Sequence, residues 1–164
     1  MTLQIRQVTN EDWEQVRWIY EAGIATKLAT FETQAPSFYE QWINNAVLNC
    51  TLVAVEDNQI KGWCKLNRVS TRKVYAGVGE VSVYVHPQAM GQGIGQMLLQ
   101  KMIQKSEEEG FWTLESKIFV ENHASIQLHK KNGFREVGIR KKIAKLDGEW
   151  KDTLLLERRS ERIK

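Results

Sequence analysis

Apolar and polar residues alternate at the start of the chain, in Leu3-Gln4-Ile5-Arg6-Gln7-Val8, and that period of two predicts a half-buried first strand. The period then lengthens. Trp13, Val16, Ile19 and Tyr20 recur at helical spacing behind a capping pair, Thr9 and Asp12, so a helix follows, with Gly23 as its expected end. A second helix start is read at Pro36-Ser37-x-x-Glu40, leading into Phe38, Trp42, Ile43 and Val47. Thr51–Val55 and Ile60–Leu66 read as paired strands turning at Asp57-Asn58. After a polar connection from Arg68 to Gly79, the β-branched and aromatic run Val81–Val85 predicts another strand. A long helix, Gln96–Glu109, is closed by Gly110. A strand at Trp112–Val120 and a helix at Ser125–Lys131 follow, the latter stopped by Asn132-Gly133. Phe134–Ala144 and Trp150–Glu157 are strands joined at Asp147-Gly148, and the basic tail Arg158–Lys164 is expected to fray.

The resulting order, β-α-α-β-β-β-α-β-α-β-β, describes an α/β chain with helices covering a central mixed sheet, and 1–164 is expected to be a single domain. Bulk properties narrow this only a little. A composition of 42% hydrophobic and 26% charged residues argues against disorder. The net charge of +3 suits a polyanionic small ligand as well as it suits a nucleic acid. No apolar run reaches the roughly 20 residues of a membrane span, and the first residues lack the apolar core of a signal peptide. Cys50 and Cys64 lie in hydrophobic segments away from any metal-ligand spacing, so they are expected to be buried thiols and no metal is expected. A soluble cytoplasmic protein is the expectation.

The candidate chemistry starts at the strand Val81–Val85. It breaks at Pro87, passes Gly91, Gly93 and Gly95, and becomes a helix. A strand feeding a glycine-rich loop at a helix start is a device for holding phosphate, because bare N–H groups and the positive helix end face the anion. A P-loop would need Lys-Ser or Lys-Thr after the last glycine, and a dinucleotide fingerprint would need Gly-x-Gly-x-x-Gly early in the chain. Neither is present.

The stretch does resemble the acetyl-CoA pyrophosphate loop of the GNAT superfamily of N-acetyltransferases, with Met90 standing where that family usually carries Gln or Arg. A second motif, Asn122-x-x-Ser125-x-x-Leu128-His129-x-x-x-Gly133-Phe134, resembles the family's Asn-x-x-Ala/Ser-x-x-Leu-Tyr/His-x-x-x-Gly-Phe segment. The strand Glu80-Val81-Ser82-Val83-Tyr84-Val85, the segment Thr30-Phe31-Glu32-Thr33 and the Leu128-His129 pair resemble the phosphinothricin and methionine sulfoximine N-acetyltransferase branch.

That resemblance implies the GNAT fold, a mostly antiparallel sheet of about seven strands flanked by about four helices. It also implies acetyl-CoA as co-substrate and an amino-acid-like amine as acceptor, with a homodimer as the assembly. Pantetheine would lie on the backbone of Val83, Tyr84 and Val85, and pyrophosphate on Gly91, Gln92, Gly93, Ile94, Gly95 and Gln96. Asn122 would contact the cofactor from the neighbouring strand end. Glu80 is the candidate base, acting directly or through water, and His129 is the candidate acid, though a histidine can hold either role. Phe31 and the loop Arg72-Lys73-Val74-Tyr75 are candidate substrate contacts, the loop's cations suiting a carboxylate or phosphinate. The blander readings are core for Phe31, a solvated loop for Arg72 and Lys73, and a packed helical residue for His129. The competing functions are transfer to a polyamine, aminoglycoside or protein N-terminus, and CoA binding without catalysis. Nucleic-acid binding through Arg140-Lys141-Lys142 lacks an aromatic-interleaved basic surface.

Overall fold

The computed structural model describes residues 2–164. Among them, seven strands form one sheet: β1 (Gln4–Gln7), β2 (Leu52–Glu56), β3 (Gln59–Arg68), β4 (Val78–Val85), β5 (Thr113–Phe119), β6 (Arg135–Leu146) and β7 (Glu149–Arg159). Four helices cover it: α1 (Trp13–Ala25), α2 (Tyr39–Ile43), α3 (Ile94–Glu108) and α4 (His123–Lys131). The strands lie in the order β1-β2-β3-β4-β5-β7-β6. All neighbours are antiparallel except β4 and β5, which run parallel. This is the expected element order and the expected mixed α/β architecture.

Strand alternation divides the core in two. Cys64 and Leu66 of β3 and Val81 of β4 face the side covered by α3, which contributes Ile94, Leu98 and Met102 at four-residue spacing. Leu98, Leu99 and Met102 are fully buried, each such side chain contributing about 1.5–3 kcal/mol of apolar transfer. Trp63 and Tyr84 face the other side, against Val16 and Ile19 of α1 and Trp42 of α2. The Trp63 indole N–H donates to the Val16 carbonyl at 3.1 Å, so its polar atom is satisfied where it is buried.

Several boundaries differ from the pattern-based reading, each for a packing reason. Gly23 does not end α1, which continues to Ala25. A Cβ there would lie 2.6 Å from the Tyr84 ring, so this glycine admits the ring to the helix surface. The start of α2 shifts one residue beyond Ser37: the Phe38 N–H donates to Gln41 Oε1 at 3.2 Å, and Glu40 sits inside the first turn. Helix α3 begins at Ile94, two residues before Gln96, with Gly93 as its cap.

The C-terminal residues are tied down, contrary to the expected fraying. Strand β7 runs to Arg159, Ser160 is buried, and its hydroxyl donates to Glu107 of α3. The same carboxylate receives Arg158 at 3.5 Å and Arg162 at 3.9 Å. Because the Glu107 side chain is only 8% exposed, these contacts are shielded from water. Glu107→Ala should therefore lower stability by about 1–3 kcal/mol in urea unfolding and hasten carboxypeptidase trimming of the tail. An unchanged midpoint and trimming rate would show that this carboxylate does not anchor it.

Candidate active site

The site begins where the sheet comes apart. β4 and β5 pair only at Val78–Thr113, Gly79–Leu114 and Glu80–Glu115. Past Glu80, β4 stays with β3 as far as Val85–Gly62, while β5 follows β7 as far as Phe119–Thr153. The strands diverge and leave a gap between Val81–Tyr84 and Ser116–Ile118. A hollow of about 70 Å³ in this gap reaches Asn122, Ser125 and His129. It shares Val81, Ser82, Tyr84 and Lys117 with a cleft of about 570 Å³ that also holds Phe31, Lys65, Asn67 and Glu80. Glu80 thus stands at the last paired position, where the two hollows meet.

At the far end of β4, the turn Pro87–Ala89 leads to the glycine loop. Gly91 and Gly93 have φ of +78° and +79°, the left-handed region that a Cβ penalises. Gly95 has a different reason to be glycine: a Cβ there would come 3.2 Å from Leu128, so it sets the closeness of α3 to α4. Among the described residues the first backbone bond of α3 runs from Met97 N–H to Gly93 O at 3.0 Å, which leaves the N–H groups of Gly93, Ile94, Gly95 and Gln96 without backbone acceptors. Four free donors at a helix start, with its positive dipole end, form a cradle for an anion. Met90 is exposed on this loop.

The titratable groups are arranged around the gap. Lys117 Nζ lies 3.9 Å from Glu80 and 3.9 Å from Glu115, between the two carboxylates. Burial raises the pKa of Glu115, which the Glu80 charge reinforces and Lys117 opposes. His129 is buried, and its Nδ1 is 2.7 Å from the Ser125 carbonyl oxygen. A carbonyl only accepts, so Nδ1 carries the proton and Nε2 presents a lone pair. Nε2 is buried with no partner, and burial lowers the ring's pKa, so the resting imidazole is neutral. Lys65 is half-buried in the cleft, and burial brings its pKa down to about 8 against a smaller opposing pull from Glu80.

The fold brings most of the expected residues to this place. Val83 and Val85 pack toward the α3 side, whereas Tyr84 turns its ring into the cleft and stacks on Trp63 at 4.5 Å. Phe31 lines the cleft edge-on to Phe119 at 4.8 Å. Asn122 is committed at both ends: Oδ1 accepts from Ser125 N–H at 3.3 Å to cap α4, and Nδ2 donates to Leu28 O at 3.1 Å, strapping the segment after α1 beside the gap. Gln96 Oε1 accepts from Asn132 at 2.8 Å. Arg72, Lys73, Val74 and Tyr75 are not brought to the cleft. Lys73–Tyr75 form a 3-10 turn, Arg72 lies over the Tyr75 ring, and Arg72 and Lys73 line a separate hollow with Asn45 and Arg68. Of the cleft's charged and amide residues, Lys65, Asn67 and Lys117 went unread in the sequence, while Glu32 entered only with the Thr30–Thr33 segment and Arg140 only with a basic run. Lys65 and Asn67 fall at alternate positions of β3, on the same face as Trp63 and opposite the apolar face of Cys64 and Leu66, so their spacing shows a shared face but not a site.

Known proteins share this arrangement. A sequence profile for the acetyltransferase (GNAT) domain matches residues 5–155. The chain is 32% identical over 159 residues to a phosphinothricin N-acetyltransferase of Alcaligenes faecalis, covering 94% of this chain and 81% of that one. A crystal structure of a ribosomal-protein-alanine N-acetyltransferase from Brucella melitensis superposes with a TM-score of 0.89 at 29% identity, covering 96% of this chain and 99% of that one. A phosphinothricin acetyltransferase from Sinorhizobium meliloti, in complex with acetyl-CoA, superposes with a TM-score of 0.86 at 26% identity, covering 97% and 89%. With the profile spanning most of its length and the sheet parted beside a glycine cradle, the chain belongs to the GNAT N-acetyltransferases.

Proposed function

We propose that the protein is an acetyl-CoA-dependent N-acetyltransferase acting on the α-amino group of small amino-acid-like substrates of the phosphinothricin and methionine sulfoximine type. The observation that carries this reading is the gap between β4 and β5, which joins a cleft holding Glu80 to a hollow lined by His129, whose buried Nε2 has no partner. The acetyl-CoA fit rests on the unpaired amides of Gly93 to Gln96, a cradle suited to a pyrophosphate, and on the parted edge of β4, whose backbone is available to an amide-bearing arm. When bound, acetyl-CoA supplies an activated acyl carbon for attack by an amine.

Glu80 serves as the base that removes a proton from the substrate ammonium, directly or through water, since only the neutral amine is a nucleophile. Lys117, which it shares with Glu115, is its ion-pair partner at the apex. For His129, the neutral ring with an open Nε2 favours an accepting role in the hollow over that of a resident acid. The cleft carries Lys65, Lys117 and Arg140 against Glu32 and Glu80, a balance that disfavours a polyamine and suits a substrate with an anionic group.

Thiol release from acetyl-CoA should be seen with phosphinothricin or methionine sulfoximine and be absent with spermidine. Turnover of spermidine or peptides without any amino-acid analogue would overturn the substrate assignment, and no turnover with a bound CoA would favour the non-catalytic reading. Glu80→Gln should lower kcat by about 10²–10⁴-fold while CoA affinity, measured by calorimetry, stays unchanged. An unaltered rate across pH would remove Glu80 from the reaction. His129 gives a pH signature. Because its folded-state pKa lies below the ordinary 6.5, the unfolded chain takes up the extra proton. Stability is therefore kept above pH 6.5 and declines below it, levelling off under the folded-state pKa. Urea midpoints of the wild type should fall more steeply from pH 7 to pH 5 than those of His129→Gln; parallel slopes would show that the buried ring is protonated as easily as a free one.

A further inference from the structure

Among the charged groups of the cleft, Lys65 is the half-buried cation with no salt-bridge partner; Arg140 also has none but is exposed. Its Nζ donates to the Trp42 carbonyl at 2.9 Å and sits 4.9 Å from the centre of the Trp42 ring. No carboxylate of the described residues forms an ion pair with it, whereas Lys117 is shared by Glu80 and Glu115, and Arg140 lies on the exposed strand β6. An ammonium has three donors, so donors remain for a ligand. Holding a desolvated charge in this state opposes folding, and an anion supplied from outside would relieve it.

Two residues along the same strand is an unpartnered acceptor. Asn67 Oδ1 is buried and makes no hydrogen bond. Lys65 and Asn67 project from the same face of β3, about 7 Å apart at their Cβ atoms. Their cross-strand neighbours on β4 are Ser82 and Glu80 respectively. A free donor, a free acceptor and the carboxylate of Glu80 therefore converge on one wall of the cleft.

We propose that Lys65 and Asn67 are the pair that reads the substrate: Lys65 binds an oxyanion of the acceptor molecule, and Asn67 Oδ1 accepts an N–H of the reacting amine and holds it beside Glu80. This rests on the acetyltransferase reading and deepens it. The substrate class becomes free amino acids, or analogues with an acidic side group, as opposed to amines and peptide N-termini that carry no nearby anion. The depressed pKa of Lys65 agrees with a site kept ready for an anion.

The test compares methionine sulfoximine with its α-carboxamide, and glutamate with glutamine, in thiol-release kinetics of the wild type, Lys65→Met, Lys65→Arg and Asn67→Ala. Lys65→Met should raise KM for the charged member of one pair at least about tenfold and change kcat little, with less than a twofold change for the uncharged member. Lys65→Arg should recover much of that loss. Which pair separates identifies the oxyanion as the α-carboxylate or the side-chain acid. Asn67→Ala should weaken both members of a pair alike. Because Lys65→Met removes an unpaired charge, its melting temperature should equal or exceed that of the wild type, with unchanged CoA affinity. Equal effects on charged and uncharged substrates, or a lowered melting temperature, would overturn the proposal while leaving the acetyltransferase reading intact. Absence of thiol release with every amine would instead strike that reading. In that event the ¹³C signal of reductively methylated Lys65, identified by its loss in Lys65→Arg, decides the matter: a shift with the free acids and none with the amides supports anion binding, and no shift with any acid overturns it.

Discussion

The structure depends on a parallel pairing that stops after three residue pairs. While β4 and β5 stay bonded, from Val78 to Glu80, they form ordinary sheet. Past that point each strand keeps its antiparallel neighbour and loses the other. A parted strand edge carries unpaired amides and carbonyls, which are costly unless water or a ligand satisfies them. The fold bears that cost at one place, and the elements around it answer to the same opening. Glu80 sits at its apex, α4 brings His129 to one side, and Asn122 straps the segment after α1 beside it.

A similar tension governs the polar groups inside. The cleft keeps an ammonium without an anionic partner on Lys65 and an unpaired acceptor on Asn67, and the adjoining hollow an unpartnered nitrogen on His129, all half-buried or buried. Each would be more stable as an apolar residue or with a partner. Elsewhere the same chain pairs its buried carboxylates: Asp12 takes both terminal nitrogens of Arg6 at 2.8 Å, and Glu107 gathers Ser160, Arg158 and Arg162. Burial favours the protonated form of Asp12, yet the Arg6 fork and the Thr9 amide outweigh it and hold the carboxyl below its ordinary pKa. Unsatisfied groups concentrated at one opening, in a chain that pairs them elsewhere, are the mark of a site built for another molecule.

The glycines show how one residue type serves separate ends. Gly91 and Gly93 are required by backbone conformation, Gly95 by the approach of α4, and Gly23 by the ring of Tyr84. Gly95 still lends its amide to the cradle, and all three loop glycines fall within one short motif.

What the sequence determined by itself was everything carried by local spacing. The order of eleven elements follows from periods of two and 3.6 residues, and the loop after β4 follows from its glycines, because both are properties of consecutive residues. Glu80 was marked in the same way, as the residue before the run Val81–Val85, although β4 itself begins two residues earlier at Val78. Tertiary structure alone decided which side chains face one another. Lys65 and Asn67 come from β3, Lys117 from β5 and Arg140 from β6, and they share a cleft only because strands distant in sequence lie side by side. It also decided that Arg72 and Lys73 turn to a separate hollow, and that His129 is neutral, since the desolvation that lowers its pKa is a fact of packing. Local pattern encodes how the backbone runs; the charge that a cleft presents is summed over space.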